Sequence, residues 1–362
     1  MAVLVTGGAG YIGSHAVQRL LRESAASGTT VVSFDNNFRG HRSAMERLAG
    51  TPEGKNLRVV EGDIADRAMV ARVMIDHGVD TVMHFAALAY VGESVDDPLR
   101  YYHNNVTGLV SVLGAMDDAA AATGREVGRF VFSSSCSTYG EIAPERMPIR
   151  EEYTGEPVSP YGRTKLIGEK VLGDYAVARE RAKRPLGLVF LRYFNVCGSD
   201  RTGVIGEDHT PETHLIPVVL ECAMGQRPSV AVFGTDYPTP DGTCVRDYVH
   251  VEDLIAAHVL AMRKVKPGEK LAYNVGIGRG YSVREIIAAT ERVTGKKITV
   301  VEQARRAGDP PMAYAQPEKI TRELGWKPEV TELDEIIRSA WDWMRRHPRG
   351  YGQKVLHGEK RP

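Results

Sequence analysis

The sequence has few cysteines, no excess of charge of either sign and no long apolar run, and each absence excludes a class of protein. Its 362 residues include four cysteines, whose spacings fit neither a zinc site nor a disulfide framework, so we expect reduced thiols. Lys plus Arg and Asp plus Glu both number 46, which excludes a global basic surface for nucleic acid or anionic membranes. With no run of about 18 apolar residues and no signal-peptide pattern, we expect a cytoplasmic protein.

Short apolar runs alternate with helical patterns through the first half of the chain. The runs are rich in Val, Ile and Phe with little polar alternation, as in strands that are buried on both faces. We predict strands at Ala2–Thr6, Thr30–Asp35, Arg58–Glu61, Thr81–Ala86, Arg129–Ser133 and Leu186–Arg192. The predicted helices between them are about Ile12–Ser24, Asp66–His77, Leu99–Thr123 and Tyr161–Arg181. This alternation predicts an α/β fold with a doubly wound parallel sheet of the Rossmann type.

The amino-acid composition of the chain changes after Asn195. Residues 198–250 are rich in Gly, Pro and Thr, and helical patterns return at Val251–Arg263, Val283–Thr294 and Glu332–Arg346, the last with Thr331 as its predicted cap. We therefore predict a Rossmann domain over residues 1–195, to which about 246–265 returns. A smaller, loop-rich substrate lobe would cover 196–350, followed by a polar tail over 351–362.

A glycine-rich loop, Gly7-Gly8-Ala9-Gly10-Tyr11-Ile12-Gly13, follows the first strand and opens the first helix. Its glycines permit a tight turn and let a pyrophosphate approach the backbone, while the helix N-terminus supplies N–H donors. Asp35 ends the second strand, where a carboxylate can bond both ribose hydroxyls and repel a 2′-phosphate, which favours NAD over NADP. Gly62-Asp63-Ile64 and Phe85-Ala86-Ala87 follow the third and fourth strands, at the same edge of the sheet.

Three further residues indicate proton-transfer chemistry at that edge. Tyr161 and Lys165 lie four residues apart, so they share one helix face. A neighbouring ammonium and a positive nicotinamide ring would both lower the pKa of the phenol, which could then take a proton from a sugar hydroxyl while the cofactor takes a hydride. Ser135 lies at the end of the fifth strand, where it could bond the substrate oxygen and pass the proton to Tyr161.

These residues resemble those of the extended short-chain dehydrogenase/reductase family, and of its UDP-glucose 4-epimerase branch in particular. The resemblance runs from Val3 to about Tyr351. Its most specific segments are Phe233-Gly234-Thr235-Asp236-Tyr237-Pro238-Thr239 and Val245-Arg246-Asp247-Tyr248. The branch implies inversion at C4 of a UDP-linked sugar through a transient ketone, with retained NAD. It also implies a homodimer through the predicted helices Leu99–Thr123 and Tyr161–Arg181.

The resemblance implies a role for each matching position. Ser135, Tyr161 and Lys165 would be catalytic. The residues that would hold NAD are Gly7, Gly10, Tyr11, Ile12, Gly13, Asp35, Asn36, Asp63, Ile64, Phe85, Ala86, Ala87, Asn104, Lys165 and Phe194. The residues that would contact the UDP-sugar are Ser135, Tyr161, Tyr193, Asn195, His214, Leu215, Phe233, Arg246, Tyr248, Arg306 and Asp309. Arg305 is adjacent to Arg306, so either arginine could contact the diphosphate.

The chain departs from the branch pattern at positions that bear on its substrate. His214 replaces an Asn before Leu-x-Pro, and Ala89 occupies a position that is commonly Lys. In members of the branch that are restricted to hexoses, a bulky residue forms one wall of the sugar pocket, and the matching position here is Ala313. The smaller side chain could admit an N-acetyl group, although a shift of the alignment by one residue would place Tyr314 there. Ser135 through Gly140 and Gly234 through Val245 also resemble epimerases of UDP-xylose and UDP-arabinose, so pentose substrates stay open.

Three other functions are disfavoured by the residues present. A 4,6-dehydratase usually has Asp-Glu directly after the catalytic Ser or Thr, and Cys136 and Ser137 stand there. A non-catalytic NAD sensor on this fold typically lacks the Tyr or Lys that this chain keeps. The segments Glu207-Asp208-His209 and Glu212-Thr213-His214 lack the helical spacing of zinc proteases, so we predict a solvated acidic loop and no metal.

Overall fold

The computed structural model describes residues 1–306 and 309–352. The strands are β1 (Ala2–Thr6), β2 (Thr30–Asp35), β3 (Leu57–Glu61), β4 (Thr81–His84), β5 (Arg129–Ser135), β6 (Gly187–Tyr193), β7 (Asn195–Cys197), β8 (Val230–Phe233), β9 (Val245–His250), β10 (Lys270–Val275), β11 (Gly280–Ser282), β12 (Val300–Gln303) and β13 (Met312–Ala313). The α-helices are α1 (Tyr11–Ser27), α2 (Arg42–Ala49), α3 (Arg67–His77), α4 (Val91–Asp96), α5 (Pro98–Tyr102), α6 (Gly108–Thr123), α7 (Pro160–Arg181), α8 (Leu215–Ala223), α9 (Val251–Lys264), α10 (Val283–Thr294), α11 (Glu318–Leu324) and α12 (Leu333–Arg346). The predicted polar tail over 351–362 is wrong at its start, because Tyr351 is buried and its hydroxyl accepts from the N–H of Gly206, and its residues 353–362 lie outside the described part of the chain.

A seven-stranded parallel sheet organises the first half of the chain, in the order β10-β6-β5-β4-β1-β2-β3. The strand order reverses between β1 and β4, and ligands bind beyond the carboxyl ends of strands at such a reversal. The loop after β1 and the loop after β4 therefore meet at the position where the sequence predicts the cofactor.

Hydrophobic cores cover both faces of this sheet, which confirms the predicted doubly wound fold. Side chains alternate along β1, so that Val3 and Val5 join one core whereas Leu4 joins the other. The first core includes residues of α1 and α9, and the second includes residues of α3, α6 and α7. Full burial of each such Val or Leu stabilises the fold by about 1.5–3 kcal/mol.

The second half of the chain adds smaller sheets to the large one. In one of them β9 pairs with β7, β11 and β13, and in another β8 pairs with β12. A separate apolar cluster joins α8, β8 and α10 through Val219, Val230 and Ile287. Strand β10, which the sequence analysis did not predict, completes the edge of the large sheet beside β6.

The predicted helix Leu99–Thr123 is confirmed as an uninterrupted helical stretch, which consists of α5, a π-helical turn over His103–Thr107 and α6. Asn105 belongs to this π-helical turn, and its side chain accepts from the N–H of Leu88 and donates to the Leu88 carbonyl. π-turns of this kind are frequent at functional sites. The predicted Thr331 cap is wrong, since α12 starts after Glu332 and has no side-chain cap.

Among the described residues, every helix is too short or too polar to span a bilayer.

Candidate active site

The glycine loop bends between β1 and α1 because its glycines leave no room for side chains. Gly7 has a φ of 71°, and a Cβ there would lie 2.6 Å from the backbone nitrogen of Ala86. A Cβ on Gly13 would lie 2.0 Å from the carbonyl oxygen of Gly7. Gly10 precedes α1 without a capping side chain, and the N–H groups of a helix's first turn have no intrahelical partner. The loop therefore presents donors and positive potential to an anion.

A cavity of about 310 Å³ opens from this loop along the carboxyl ends of β1, β2 and β4. It contains most of the predicted cofactor residues, namely Gly7, Gly10, Asp35, Asn36, Asp63, Ile64, Phe85, Ala86, Ala87 and Asn104. Sequence reasoning missed Phe38, Arg39, Arg100 and His103, which also line it. No motif indicated these four, because Phe38 and Arg39 follow β2 in a loop, Arg100 and His103 lie in the α5 and π-helical segment, and both segments approach the cavity only in the folded chain.

Asp35 lies in this cavity with part of its bonding capacity already used. Its two oxygens accept from the N–H groups of Ala9 and Asn37 at 3.0 and 2.8 Å. Burial raises the pKa of Asp35, although these backbone N–H groups oppose the rise. The neighbouring Arg39 is held by Glu93 at 2.6 Å, so its charge is already paired.

Other predicted cofactor residues lie outside the cavity lining. Gly13 and Ile12 belong to the first turn of α1, and the hydroxyl of Tyr11 donates to the carbonyl of Gly198 at 2.6 Å. Phe194 is buried against Tyr139, Ile142, Ile149 and Ala315.

Ser135, Tyr161 and Lys165 are all buried where β5 ends and α7 begins. Ser159 caps α7 by accepting from the N–H of Gly162, which fixes the helix start next to Tyr161. The ammonium of Lys165 donates to the carbonyl of Ser133 at 2.7 Å and lies 5.9 Å from the centre of the Tyr161 ring. The structure therefore assembles the three residues that the sequence predicts.

Burial dominates the electrostatics of this group. It lowers the pKa of Lys165 to about 7. It raises the pKa of Tyr161 well above its ordinary value, and nearby Tyr193 adds to this rise whereas the Ser135 hydroxyl opposes it. In the chain alone, burial therefore favours a neutral phenol beside an amine that releases its proton near neutrality.

Two polar networks that adjoin Ser135, Tyr161 and Lys165 were missed by sequence reasoning. Asn105 bonds both Leu88 and the hydroxyl of Thr164, which joins the β4 loop to α7. Glu169 accepts from the hydroxyl of Ser134 and forms paired bonds with the Arg192 guanidinium at 2.6 and 2.8 Å. These bonds set α7 against β5 and β6, the strands that carry Ser135 and Tyr193.

Arg246, Arg306 and Asp309 come together opposite the sheet edge, although they are distant in sequence. Asp309 pairs with Arg246 at 3.6 Å and with Arg306 at 3.0 Å. The Arg306 guanidinium also lies 5.4 Å from the centre of the Phe233 ring. Arg305 instead pairs with Asp236 at 2.7 Å, so the structure separates the two adjacent arginines.

The remaining predicted substrate residues are placed less uniformly. Asn195 is exposed at the start of β7, and Leu215 is the first residue of α8. The Tyr193 hydroxyl bonds that of Ser133, and burial raises the pKa of Tyr193 to about 12. Tyr248 is buried in β9 beside Arg246.

The predicted solvated acidic loop is wrong, because Glu207, Asp208 and Glu212 are buried. The ring of His214 bonds a Glu212 oxygen at 2.8 Å, and His209 lies 3.3 Å from Glu207. Burial lowers the pKa of His209, but the carboxylates of Glu207 and Glu212 outweigh it and raise the pKa to about 10.

A family model described as GDP-mannose 4,6 dehydratase matches residues 4–340, which defines the class of this fold and site. A UDP-glucose 4-epimerase from Lacticaseibacillus casei is 43% identical over 98% of this chain and 100% of its own length. UDP-arabinose 4-epimerase 1 from Arabidopsis thaliana is 44% identical over 97% of this chain and 81% of its own. A structure of UDP-glucose 4-epimerase from Bifidobacterium longum in complex with NAD⁺ and UDP superimposes with a TM-score of 0.87, at 39% identity over 97% of this chain and 100% of that one. The chain belongs to the UDP-glucose 4-epimerase branch of the extended short-chain dehydrogenase/reductase family.

Proposed function

We propose that this chain is an NAD-dependent UDP-sugar 4-epimerase that interconverts UDP-glucose and UDP-galactose. One observation carries the proposal: buried Ser135, Tyr161 and Lys165 meet beside the glycine-loop cavity, at the reversal point of the sheet. The relatives named for this reaction span the whole chain, which supports the same conclusion. A role in galactose metabolism follows from that reaction.

The residues of the cavity fit NAD. The glycine loop provides the unobstructed backbone and free N–H groups that a pyrophosphate needs, and Asp35 faces the cavity as a ribose acceptor. Asp63, Ile64, Ala86, Ala87 and Asn104 also line the cavity, and Asp63 and Ile64 would contact the adenine ring. Bound NAD supplies a hydride acceptor and donor, so the reaction needs no external redox partner.

The protein's own residues then handle the proton. Ser135 and Tyr161 hold the C4 hydroxyl of the sugar, and the phenolate of Tyr161 accepts its proton as the ketone forms. Lys165 stabilises that phenolate by its positive charge. When the ketone is reduced on its opposite face, Tyr161 returns the proton to the C4 oxygen.

Dehydration requires a further acid and base, and the positions after Ser135 do not provide them. Burial raises the pKa of the Cys136 thiol to about 12, so it is neither an acid nor a base of use near pH 7. Ser137 bonds the side chain of Ser135 through its hydroxyl. Epimerisation therefore fits this site better than the dehydration named in the matching family model.

The substrate lobe over 196–350 would hold the nucleotide. Arg246 and Arg306 would neutralise the diphosphate, Asp309 would bond the UDP ribose, and Phe233 would pack near the uracil. His214 and Leu215 at the start of α8, with Tyr193, Asn195 and Tyr248, would complete the contacts.

Ala313 favours a broad substrate range at this site. Strand β13 pairs Ala313 with Arg246, and Ala313 packs on the cluster that contains Cys136 and Phe194. Tyr314 lies beside Gly280 instead, which supports the alignment that places the small residue at the pocket wall. We propose that N-acetylhexosamines are also accepted. UDP-pentoses are the second candidate, because UDP-arabinose 4-epimerases are as similar as the glucose enzymes.

We also propose that the protein forms a homodimer and is located in the cytoplasm. The helical segments predicted to pair expose Leu99, Val110 and Val177, an apolar surface that a four-helix contact would cover. All four cysteines are free, which suits a reducing compartment.

The test is to incubate purified protein, without added NAD, with UDP-galactose, UDP-N-acetylgalactosamine or UDP-xylose and to identify products by proton NMR. We expect conversion of UDP-galactose to its C4 epimer, and conversion of the acetylated sugar. Preference for UDP-xylose would move the assignment to the pentose enzymes. Absence of any conversion, even after NAD is supplied, would refute the epimerase assignment.

A further inference from the structure

Four potential metal ligands converge between β7 and α8, in the segment predicted to be a solvated loop. Glu207, His209, Glu212 and His214 each direct one ligand atom inward, and these atoms all lie within 4.8 Å of one another. The segment is also fixed at two other points. Arg39 donates to the Thr210 carbonyl at 2.6 Å, and the ring of His41 bonds the Asp208 carbonyl.

The separations between the histidine nitrogens and the carboxylates are close to those between ligands of a tetrahedral metal ion. Nδ1 of His209 lies 3.3 Å from Glu207 and 3.4 Å from Glu212, and Nδ1 of His214 lies 3.5 Å and 2.8 Å from the same two carboxylates. Four ligands at about 2.0–2.1 Å from a central Zn²⁺ are about 3.3–3.4 Å apart. Three of the four histidine–carboxylate separations are close to this value. The two contacts of Glu212 use different oxygens, Oε2 toward His209 and Oε1 toward His214, and the second is short because His214 hydrogen-bonds Glu212.

Two polar side-chain atoms of the cluster lack hydrogen-bond partners. Nδ1 of His209 and Oε2 of Glu207 are buried and have no hydrogen-bond partner among the described residues. The Glu207 side chain is 5% exposed, so solvent does not satisfy it. A buried polar atom in a native structure normally has a partner, and here both atoms belong to the inward-facing groups.

The two buried carboxylates need a positive partner, which either a protonated histidine or a metal ion can supply. Within residues 1–306 and 309–352, neither Glu207 nor Glu212 forms an ion pair with a lysine or arginine, and only the two histidines approach them. Buried carboxylates are normally paired with a cation or coordinate a metal. A divalent ion bound by two carboxylates and two neutral imidazoles has no net charge.

We propose that Glu207, His209, Glu212 and His214 bind a divalent transition-metal ion, with Zn²⁺ as the best fit. Mg²⁺ and Ca²⁺ prefer sites made of oxygen ligands, so the two imidazole nitrogens argue against both ions. The near-tetrahedral spacing suits Zn²⁺. The protein fills all four positions, so the site is structural. It fixes the start of α8, which His214 precedes, to the segment that follows β7.

The first test uses untagged protein that has been dialysed against a chelator and then titrated with Co²⁺, whose visible absorption reports tetrahedral coordination. We expect intense bands that saturate at one Co²⁺ per chain and disappear when Zn²⁺ is added. Zn²⁺ should also raise the unfolding temperature of the metal-free protein, whereas Mg²⁺ should not. A folded protein that gives no saturable band and no Zn²⁺-dependent stabilisation would overturn the proposal, and would leave a proton as the occupant of the cluster.

Variants then assign the ion to these residues. Glu207→Gln keeps the shape of the side chain and removes its charge, and His209→Asn removes a ligand nitrogen. Each should weaken Co²⁺ binding by more than the roughly 10–100-fold that loss of an outer-shell partner costs. The control is His77→Asn at the end of α3, which should bind as the unaltered protein does. Bands that persist unchanged in both cluster variants, with circular dichroism showing them folded, would contradict the assignment.

Discussion

At the scale of single residues, the chemistry depends on the phenol of Tyr161. We expect Tyr161→Phe to lower kcat by about 10²–10⁴-fold, because positioned proton transfer contributes that much. KM should change little, since the aromatic ring remains. Steady-state kinetics with UDP-galactose measure this effect. The matched control is Tyr175→Phe on the same helix, whose hydroxyl bonds Asp117 away from the cavity. An equal loss of kcat in the control would contradict the assigned role.

The dependence of kcat/KM on pH should report the protonation of Tyr161 and Lys165. Because burial lowers the pKa of Lys165 to about 7, the pair loses its first proton near that pH. The form with one proton fewer has a neutral amine behind the phenol and can take up the proton of the sugar through Tyr161, whereas the fully protonated pair cannot. We therefore expect kcat/KM to fall as pH drops below about 7. A bound nicotinamide cation shifts this fall to lower pH. A profile that is flat between pH 5 and 8 would refute this account.

The residue scale also shows which site residues the sequence could predict. Ser135, Tyr161 and Lys165 follow from short motifs at the ends of predicted elements. Arg305 and Arg306 could not be distinguished, because only the fold decides which guanidinium turns toward Asp309 and which toward Asp236. Asn105 carried no signal, since its role depends on a π-turn that periodicity does not reveal.

At the scale of elements, Asp247 on β9 holds the strands and loops of the second half together. Its carboxylate accepts from the N–H groups of Ile277, Gly278 and Ala315 at 2.9–3.1 Å. Asp247→Asn replaces one acceptor oxygen by a donor and leaves at least one buried N–H without a partner. We expect a loss of about 1–3 kcal/mol in the free energy of unfolding, measured by urea titration.

The control for that change is Asp174→Asn on the exposed face of α7, which should leave the unfolding free energy unaltered. A fully stable Asp247→Asn variant would show that these three bonds contribute nothing.

Ala313 in strand β13 is the residue that we propose as a wall of the sugar pocket. Ala313→Tyr should reduce kcat/KM for UDP-N-acetylgalactosamine at least tenfold and alter that for UDP-galactose far less. The reason is that overfilling a packed site costs about 1–3 kcal/mol, and 1.4 kcal/mol is a factor of ten. Tyr314→Phe is the control and should discriminate as the unaltered enzyme does. If Ala313→Tyr leaves the preference unchanged, the pocket wall lies elsewhere.

Elements with a strong apolar period were predictable, and short or irregular ones were not. The predicted span Val283–Thr294 is identical to α10, whose capping box between Ser282 and Glu285 marks its start. The two-turn α2 and the edge strand β10 were missed, because a few residues carry too little periodicity. The π-helical turn at His103–Thr107 could not be predicted, because its stabilising contacts are made across the fold. Asn105 is polar, and its partners come from the distant β4 loop and α7.

At the scale of the whole molecule, Leu99 is the most exposed large apolar side chain of the predicted dimer surface, at 79%. We expect Leu99→Glu to convert a dimer to a monomer in light scattering coupled to size exclusion, because a dimer would bury that charge unpaired. Ile75→Glu on α3 is the control, since Ile75 is also exposed on a helix but lies outside this surface. A chain that is monomeric before substitution, or a dimer unaffected by Leu99→Glu, would contradict the proposed interface.

The central claim is that one bound NAD removes and returns the same hydrogen at C4 of the sugar. The most direct measurement is to incubate the enzyme with UDP-galactose that carries deuterium at C4, in ordinary water, and to examine the UDP-glucose by NMR. The account predicts that the deuterium remains at C4 of the product and that none is lost to solvent. Product that has exchanged its C4 label with water would contradict a retained hydride, and the transient-ketone mechanism would fail with it.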